Sequence, residues 1–287
     1  MSRPLSGYLM ARVGRFLVGV GQPVRVMGVI NVSPESFFPG SVRRTPEEVA
    51  ETAAAMVEAG ADIIDVGGMS SAPYKEVWVS EEVEAERLRW AVRAVRDAVD
   101  IPVSADTFRA RAAEAALREG AEMVNDVTGL RNSPEIAVLV KEYSASLMVM
   151  ANDVGGEVDI MEGVMNQLKA SLETAERHGV EPDRVVVDPG VGFHRRHAKK
   201  WYVVDCEIVR RLGELRVLGR PICVGVSRKS FIGKVTGRDD PAARVYGSVA
   251  AEALAVYNGA DIIRTHNPAE SLDAIKVASH TAGRPGK

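Results

Sequence analysis

Apolar positions along the chain fall into short, regularly spaced blocks. Residues 24–31, 61–67, 101–107, 122–127, 146–151, 184–190, 221–227 and 261–266 form runs rich in Val and Ile. None alternates cleanly between apolar and polar, which is the pattern of a strand covered on both faces. The intervals between blocks carry helical periodicity. Thr45, Pro46 and Glu48 spell an N-cap, a proline at the first helical position and the acid of a capping box. Apolar Val49, Ala53, Met56 and Val57 continue that helix, and Ala59-Gly60 ends it with a C-cap glycine. The same punctuation recurs at Glu119-Gly120-Ala121 and Asn258-Gly259-Ala260.

Eight strand blocks alternating with helices predict a parallel sheet with helical crossovers. Their number and the 287-residue length suit an α/β fold of the (β/α)8 (TIM) barrel type, with an open doubly wound sheet as the competing topology. Residues 24–287 would make the barrel as one domain. Within residues 1–23, the stretch 14–20 followed by Gly21-Gln22 predicts a small hairpin capping the bottom of the barrel.

Composition narrows the function classes. Apolar residues are 46% and charged residues 26%, normal for a globular protein. A net charge of −3 gives no reason to expect nucleic acid or a membrane surface as a partner. No apolar run is long enough to span a bilayer. Arg12 and Arg15 interrupt the N-terminal apolar stretch, against a signal peptide. Two distant cysteines, Cys206 and Cys223, read as small buried side chains and fit a reduced, cytoplasmic setting.

Polar residues stand at every strand end: Asn31, Asp65, Asp106, Asn125 with Asp126, Asn152, Asp188, Ser227-Arg228-Lys229-Ser230, and Arg264 with His266. Singly, each reads as well as a helix N-cap. In a barrel all of them would converge on the C-terminal face, where active sites form. Asp106, Asn125 and Asp188 suit a flat heterocycle with an amino-amide edge. Arg228, Lys229, Arg264 and His266 suit a phosphate or diphosphate. Asn31 offers a neutral oxygen for Mg²⁺, which takes few protein ligands.

Five blocks carry a resemblance: "MGVINVSPESF" (27–37), "GADIIDVGG" (60–68), "VVVDPGVGF" (185–193), "GVSRKSFIG" (225–233) and "GADIIRTHN" (259–267). In this order the chain resembles the dihydropteroate synthases, whose fold is a (β/α)8 barrel. The resemblance implies transfer of 6-hydroxymethyl-7,8-dihydropterin diphosphate to an arylamine with Mg²⁺ and release of diphosphate. That arylamine would be p-aminobenzoate or a phosphorylated arylamine, in folate or methanopterin-type coenzyme biosynthesis. It implies pterin ligands at Asp106, Asn125, Asp188 and Lys229, apolar walls at Met148 and Phe193, and a small residue, Gly225, where the ring approaches. Asn31, Arg264 and His266 take the diphosphate, with Asn31 on the metal. Arg228 and Ser230 lie near the acceptor. Asp106, Asp188 and Lys229 are the expected catalytic groups, and a homodimer is the expected assembly.

The chain also departs from the family. Met69 and Ala72 stand where the loop after the second strand usually has glutamate and arginine. Pro39-Gly40-Ser41 replaces Asp-Gly-Gly, and Met148-Val149-Met150 replaces Met-His-Met. Arg195, Arg196, Lys199 and Lys200 form an unusual basic run, which suggests a relocated anion site for a phosphorylated acceptor. A pterin-dependent methyltransferase and a non-catalytic pterin-binding protein are the alternatives. The Ser227-Arg228-Lys229-Ser230 block counts against the first, and Ala72 favours the second.

Overall fold

The computed structural model describes residues 10–33, 42–69, 79–156 and 159–287. The hairpin consists of β1 (Ala11–Val13) and β2 (Phe16–Val18), paired antiparallel. Its turn falls at Gly14 and Arg15, where Gly14 takes a positive φ of 52°. A Cβ there would lie 2.5 Å from Pro102 Cγ, so only glycine lets the turn seat against the barrel.

Eight parallel strands follow: β3 (Arg25–Asn31), β4 (Ile63–Gly67), β5 (Val103–Asp106), β6 (Met123–Asp126), β7 (Ser146–Met150), β8 (Val185–Asp188), β9 (Cys223–Gly225) and β10 (Ile262–Thr265). Their order is β8-β7-β6-β5-β4-β3-β10-β9. A parallel bridge between Val187 and Ile222 closes the ring from β8 to β9. The fold is therefore the (β/α)8 barrel.

The helices are α1 (Pro46–Glu58), α2 (Glu81–Ala98), α3 (Ala110–Arg118), α4 (Glu135–Glu142), α5 (Ile160–Arg177), α6 (Trp201–Arg211), α7 (Ser230–Thr236), α8 (Val245–Tyr257) and α9 (Pro268–Thr281). Thr45 caps α1, accepting from the Glu48 amide at 3.2 Å. Glu48 returns the contact one residue earlier than a standard capping box, accepting from the Arg44 amide at 2.7 Å. The recurrent glycines do what the pattern implied. Gly60, Gly120 and Gly259 have φ of 96°, 94° and 116°. In each case the following alanine amide donates back across the turn, as Ala61 does to Met56 at 2.9 Å. No helix among the described residues is long and apolar enough to cross a membrane.

Alternation along each strand divides the side chains into two sets. Outward residues pack under the helices in the main core, which includes Val26, Ile64, Val124, Leu147 and Val187. Inward Met27, Ile63, Met123, Met148, Val186, Cys223 and Ile262 form a second apolar cluster with Ala11, Val13 and Val18 of the hairpin. The hairpin thus plugs the N-terminal end, and the Ser146 hydroxyl donates to the Arg12 carbonyl to hold it there. Above this dry floor the inward positions turn polar.

Candidate active site

The inward parity that places Ile63 in the floor carries Asp65 one step higher, and the same holds on the neighbouring strands. Register aligns Asn31 with Gly67, Gly67 with Asp106, and Asp106 with Asn125. Asp65, Asp106, Asn125 and Asp188 are all buried. Arg264 joins them from β10: Nε donates to Asp65 Oδ2 at 2.6 Å and Nη2 to Asp106 Oδ2 at 2.8 Å. Asn125 Nδ2 donates to the same Asp65 oxygen at 3.2 Å. Gly225 pairs in register with Arg264, and a Cβ there would reach Arg264 Cβ at 3.6 Å. Its missing side chain leaves that wall low.

Asp188 lies across the barrel. Its Oδ1 accepts from the Gly190 amide at 2.7 Å. Lys229 Nζ donates to the Val191 carbonyl and lies 4.8 Å above the centre of the Phe193 ring. Gly192 has φ of 89°, and a Cβ there would fall 2.9 Å from Lys229 Cδ, so this glycine admits the lysine stem. Burial drives the charges here toward neutrality. It lowers Lys229 to about 8 while Asp188 pulls the other way. It raises Asp188, with Lys229 opposing, and raises Asp106 to about 7 against the attraction of Arg264. A slot with these groups presents carboxylate and amide acceptors on one side and a cation over an aromatic ring on the other.

His266 stands beside this slot. Its backbone amide and Nδ1 both meet Ser227 Oγ, at 3.2 and 3.1 Å. Burial, reinforced by Arg264, Arg228 and Lys229, lowers the imidazole to about 3, so it is neutral at ordinary pH.

Residues 27–266 match the pterin-binding enzyme family model. The chain belongs to the dihydropteroate synthase family. It is 37% identical to dihydropteroate synthase of Synechocystis over 276 residues, 93% of each chain. The Bacillus subtilis dihydropteroate synthase is 32% identical, covering 84% of this chain and 83% of its own. Among solved structures, a Clostridium difficile dihydropteroate synthase determined in the presence of pteroic acid is 38% identical, with a TM-score of 0.83. That match covers 91% of this chain and 98% of the other. A Xanthomonas albilineans dihydropteroate synthase with 4-aminobenzoic acid is 33% identical, with a TM-score of 0.83, covering 92% and 95%.

Within this synthase framework the expected residues divide. Asp106 and Asn125 meet at one wall, and Asp188, Lys229 and Phe193 at the other. Met148 is fully buried with the hairpin-facing cluster, so it belongs to the floor. Arg264 is engaged with Asp65 and Asp106, on the Asn125 side of the slot. Arg228 turns to the loop instead: Nε donates to Asn267 Oδ1 at 3.1 Å and Nη1 to the Pro241 and Ala242 carbonyls at 3.0 and 3.1 Å. Its φ of 58° sends its side chain away from that of its neighbour Lys229. Ser230 opens α7 and accepts from Arg195 Nη2 at 2.8 Å.

Asp65 and Asp205 were not singled out from the sequence. Asp65 appeared only as one of several polar strand ends; its inward parity with Ile63 was the available signal. Asp205 of α6 accepts from the Gly192 amide at 2.7 Å, and burial pushes its carboxyl to about 6. Nothing in its helical segment marks it. Arg195 was read as part of the basic run. The structure distributes that run: Arg196 pairs with Asp153, and Lys199 with Glu207 at 2.8 Å, while Arg195 stacks 4.2 Å over the Trp201 ring. Val149, where the family has histidine, faces outward into the main core. Ala72 and Pro39-Gly40-Ser41 lie outside the described residues.

Proposed function

We infer that the protein is a dihydropteroate synthase, a transferase that joins 6-hydroxymethyl-7,8-dihydropterin diphosphate to p-aminobenzoate and releases diphosphate. The observation that carries this reading is the ring of buried acceptors, Asp106, Asn125 and Asp188, facing Lys229 over Phe193. A pterin edge is rich in N–H donors, and buried partners left unpaired discriminate strongly against other rings. In the reaction the carbon–oxygen bond to diphosphate breaks, leaving positive charge on the pterin methylene. The arylamine nitrogen forms the new bond and then gives up a proton. In their ionised forms Asp106 and Asp188 favour the cationic carbon, and no protein nucleophile is required. Positioning in a dry slot supplies much of the rest.

Arg264 and His266, with Asn31, are proposed to receive the diphosphate. Arg264 would then offer its remaining N–H groups to phosphate oxygens while it holds Asp65 and Asp106. Among the described residues no group of three or more His, Cys, Asp or Glu gathers to hold a metal. Mg²⁺ needs no such cage when phosphate oxygens and water complete its shell. Asn31 fits that role. Its Oδ1 lies beside side-chain-free Gly67, where a Cβ would come within 3.1 Å of it. When bound, Mg²⁺ supplies charge neutralisation that makes diphosphate a better leaving group.

The pairing of Arg196 and Lys199 with acids favours p-aminobenzoate over a phosphorylated arylamine, since one carboxylate needs only Arg195 and Ser230. A homodimer is proposed through α8, which exposes Tyr246, Leu254 and Tyr257 on one face. The test of the function is product analysis with pterin diphosphate, Mg²⁺ and a panel of arylamines. Dihydropteroate is expected with p-aminobenzoate. A pterin that binds without turnover would support a binding protein instead, and methyl transfer from a methylated pterin would support a methyltransferase.

A further inference from the structure

We propose that Asp65 is a positioning residue that sets the polarity of the Asn125 amide, and with it the order of donor and acceptor shown to the pterin edge. The proposal rests on the synthase reading above. It concerns a residue that acts through another side chain.

An asparagine amide turned over about its last torsion keeps its shape and exchanges its oxygen for its NH₂. A slot read by asparagine therefore accepts two opposite ligand patterns unless a neighbour decides between them. Asp65 makes that decision. Its Oδ2 accepts from Arg264 Nε at 2.6 Å, so the Asn125 atom 3.2 Å from that oxygen is the donor, Nδ2. The reversed amide would set two acceptors against each other with no proton between them. Arg264 is in turn held by Asp106 at 2.8 Å, so Asp65 cannot swing to accommodate a reversal. One Nδ2 hydrogen is thereby committed. The second hydrogen and Oδ1 form a donor and an acceptor side by side, in one order. A dihydropterin edge with an acceptor nitrogen next to ring N8–H matches that order and mismatches its reverse.

A second observation points the same way. Asp65 is fully buried, and its Oδ1 has no hydrogen-bond partner among the described residues. A half-satisfied buried carboxylate is a poor choice for stability. Its retention is explained if the other oxygen has a recognition role.

The experiment measures, by calorimetry, binding of 6-hydroxymethyl-7,8-dihydropterin and of its fully oxidised form, whose 1H tautomer sets a donor N1–H beside an acceptor N8, the reverse order. Wild type is expected to prefer the N8–H ligand by roughly tenfold or more. Asp65→Ala should collapse that ratio toward one. Asp65→Asn keeps one carbonyl oxygen under Arg264 and should restore it. Adding Asp65→Ala to Asn125→Ala should leave the ratio where Asn125→Ala alone puts it. Equal losses for both ligands in Asp65→Ala, with the ratio intact, would overturn the proposal and leave the synthase reading standing. A wild type that binds neither ligand defeats the reading itself. Should Asp65→Ala not fold, hydrogen exchange at ¹⁵N-labelled Asn125 in the wild type decides. One slowly exchanging Nδ2 hydrogen is expected, and two fast ones would overturn the proposal.

Discussion

Arg195 Nη2 donates to Ser230 Oγ at 2.8 Å, tying the loop after β8 to the first residue of α7. The guanidinium is oriented by two further contacts. Its Nε donates to the Gly192 carbonyl at 3.1 Å, and its plane lies over Trp201. Through Gly192 and Ser230 this cation neighbours Phe193 and Lys229, where we propose that an acceptor carboxylate arrives. A charge-assisted contact there is worth about 1–3 kcal/mol, or roughly ten- to a hundredfold in affinity. Arg195→Ala should raise the KM for p-aminobenzoate by that factor and leave pterin affinity unchanged. Arg196→Ala, which breaks only the exposed pair with Asp153, should change neither. Steady-state kinetics with each substrate varied checks this. Equal effects of the two substitutions would mean that the run is only a solvated surface.

The reach of the sequence is well illustrated by neighbouring residues. All eight strands were legible, because runs of Val and Ile buried on both faces leave few other readings. Their ends were not: the run 221–227 shrinks to Cys223–Gly225, since the Lys229 amide turns back onto the Val226 carbonyl at 3.1 Å. Asn125 and Asp126 are both polar strand ends. Parity sends the first into the barrel and the second outward, where its oxygens accept from the Thr128 and Leu130 amides at 2.7 Å. Arg228 and Lys229 are adjacent cations, yet the positive φ at Arg228 parts them, and that angle is set by contacts from Ser248 and Arg244 far along the chain. Composition and spacing find the groups that converge. Which of two adjacent groups faces inward depends on backbone geometry that only the fold supplies.

Glu252 of α8 gives a pH-dependent stability prediction. It is fully buried, accepts from Ser271 Oγ at 2.6 Å, and its Oε1 has no hydrogen-bond partner among the described residues. Burial raises its carboxyl to about 7, above the unfolded value of about 4.5. The folded state therefore holds this proton more tightly. The associated stability is present below about pH 4.5 and is lost as pH rises through 7. Glu252→Gln mimics the protonated form. At pH 5 the variant should match wild type closely, and at pH 8 it should be more stable by about 1–3 kcal/mol. Urea unfolding at the two pH values provides the comparison, and background titrations cancel in the difference. An equal difference at both values would show that Glu252 is already neutral throughout, or not coupled to folding.

Asn31 closes β3 at the inner rim and provides the sharpest separation of the two halves of the substrate. It is aligned with Gly67, which is in turn aligned with Asp106, so it borders the Asp106–Asn125 wall without belonging to it. Its carbonyl oxygen is a hard, neutral ligand of the kind Mg²⁺ accepts alongside phosphate oxygens. Removing it should weaken only what the metal and diphosphate contribute. Asn31→Ala should lower affinity for the pterin diphosphate in the presence of Mg²⁺ by roughly tenfold, the scale of one lost ligand contact. Affinity for 6-hydroxymethyl-7,8-dihydropterin, which has no diphosphate, should be unchanged. Without Mg²⁺ the variant and wild type should bind the diphosphate alike. Calorimetric titrations with the two pterins, with and without Mg²⁺, test all three statements. An equal loss for both pterins would make Asn31 a structural end to its strand, and the metal site would have to be sought elsewhere.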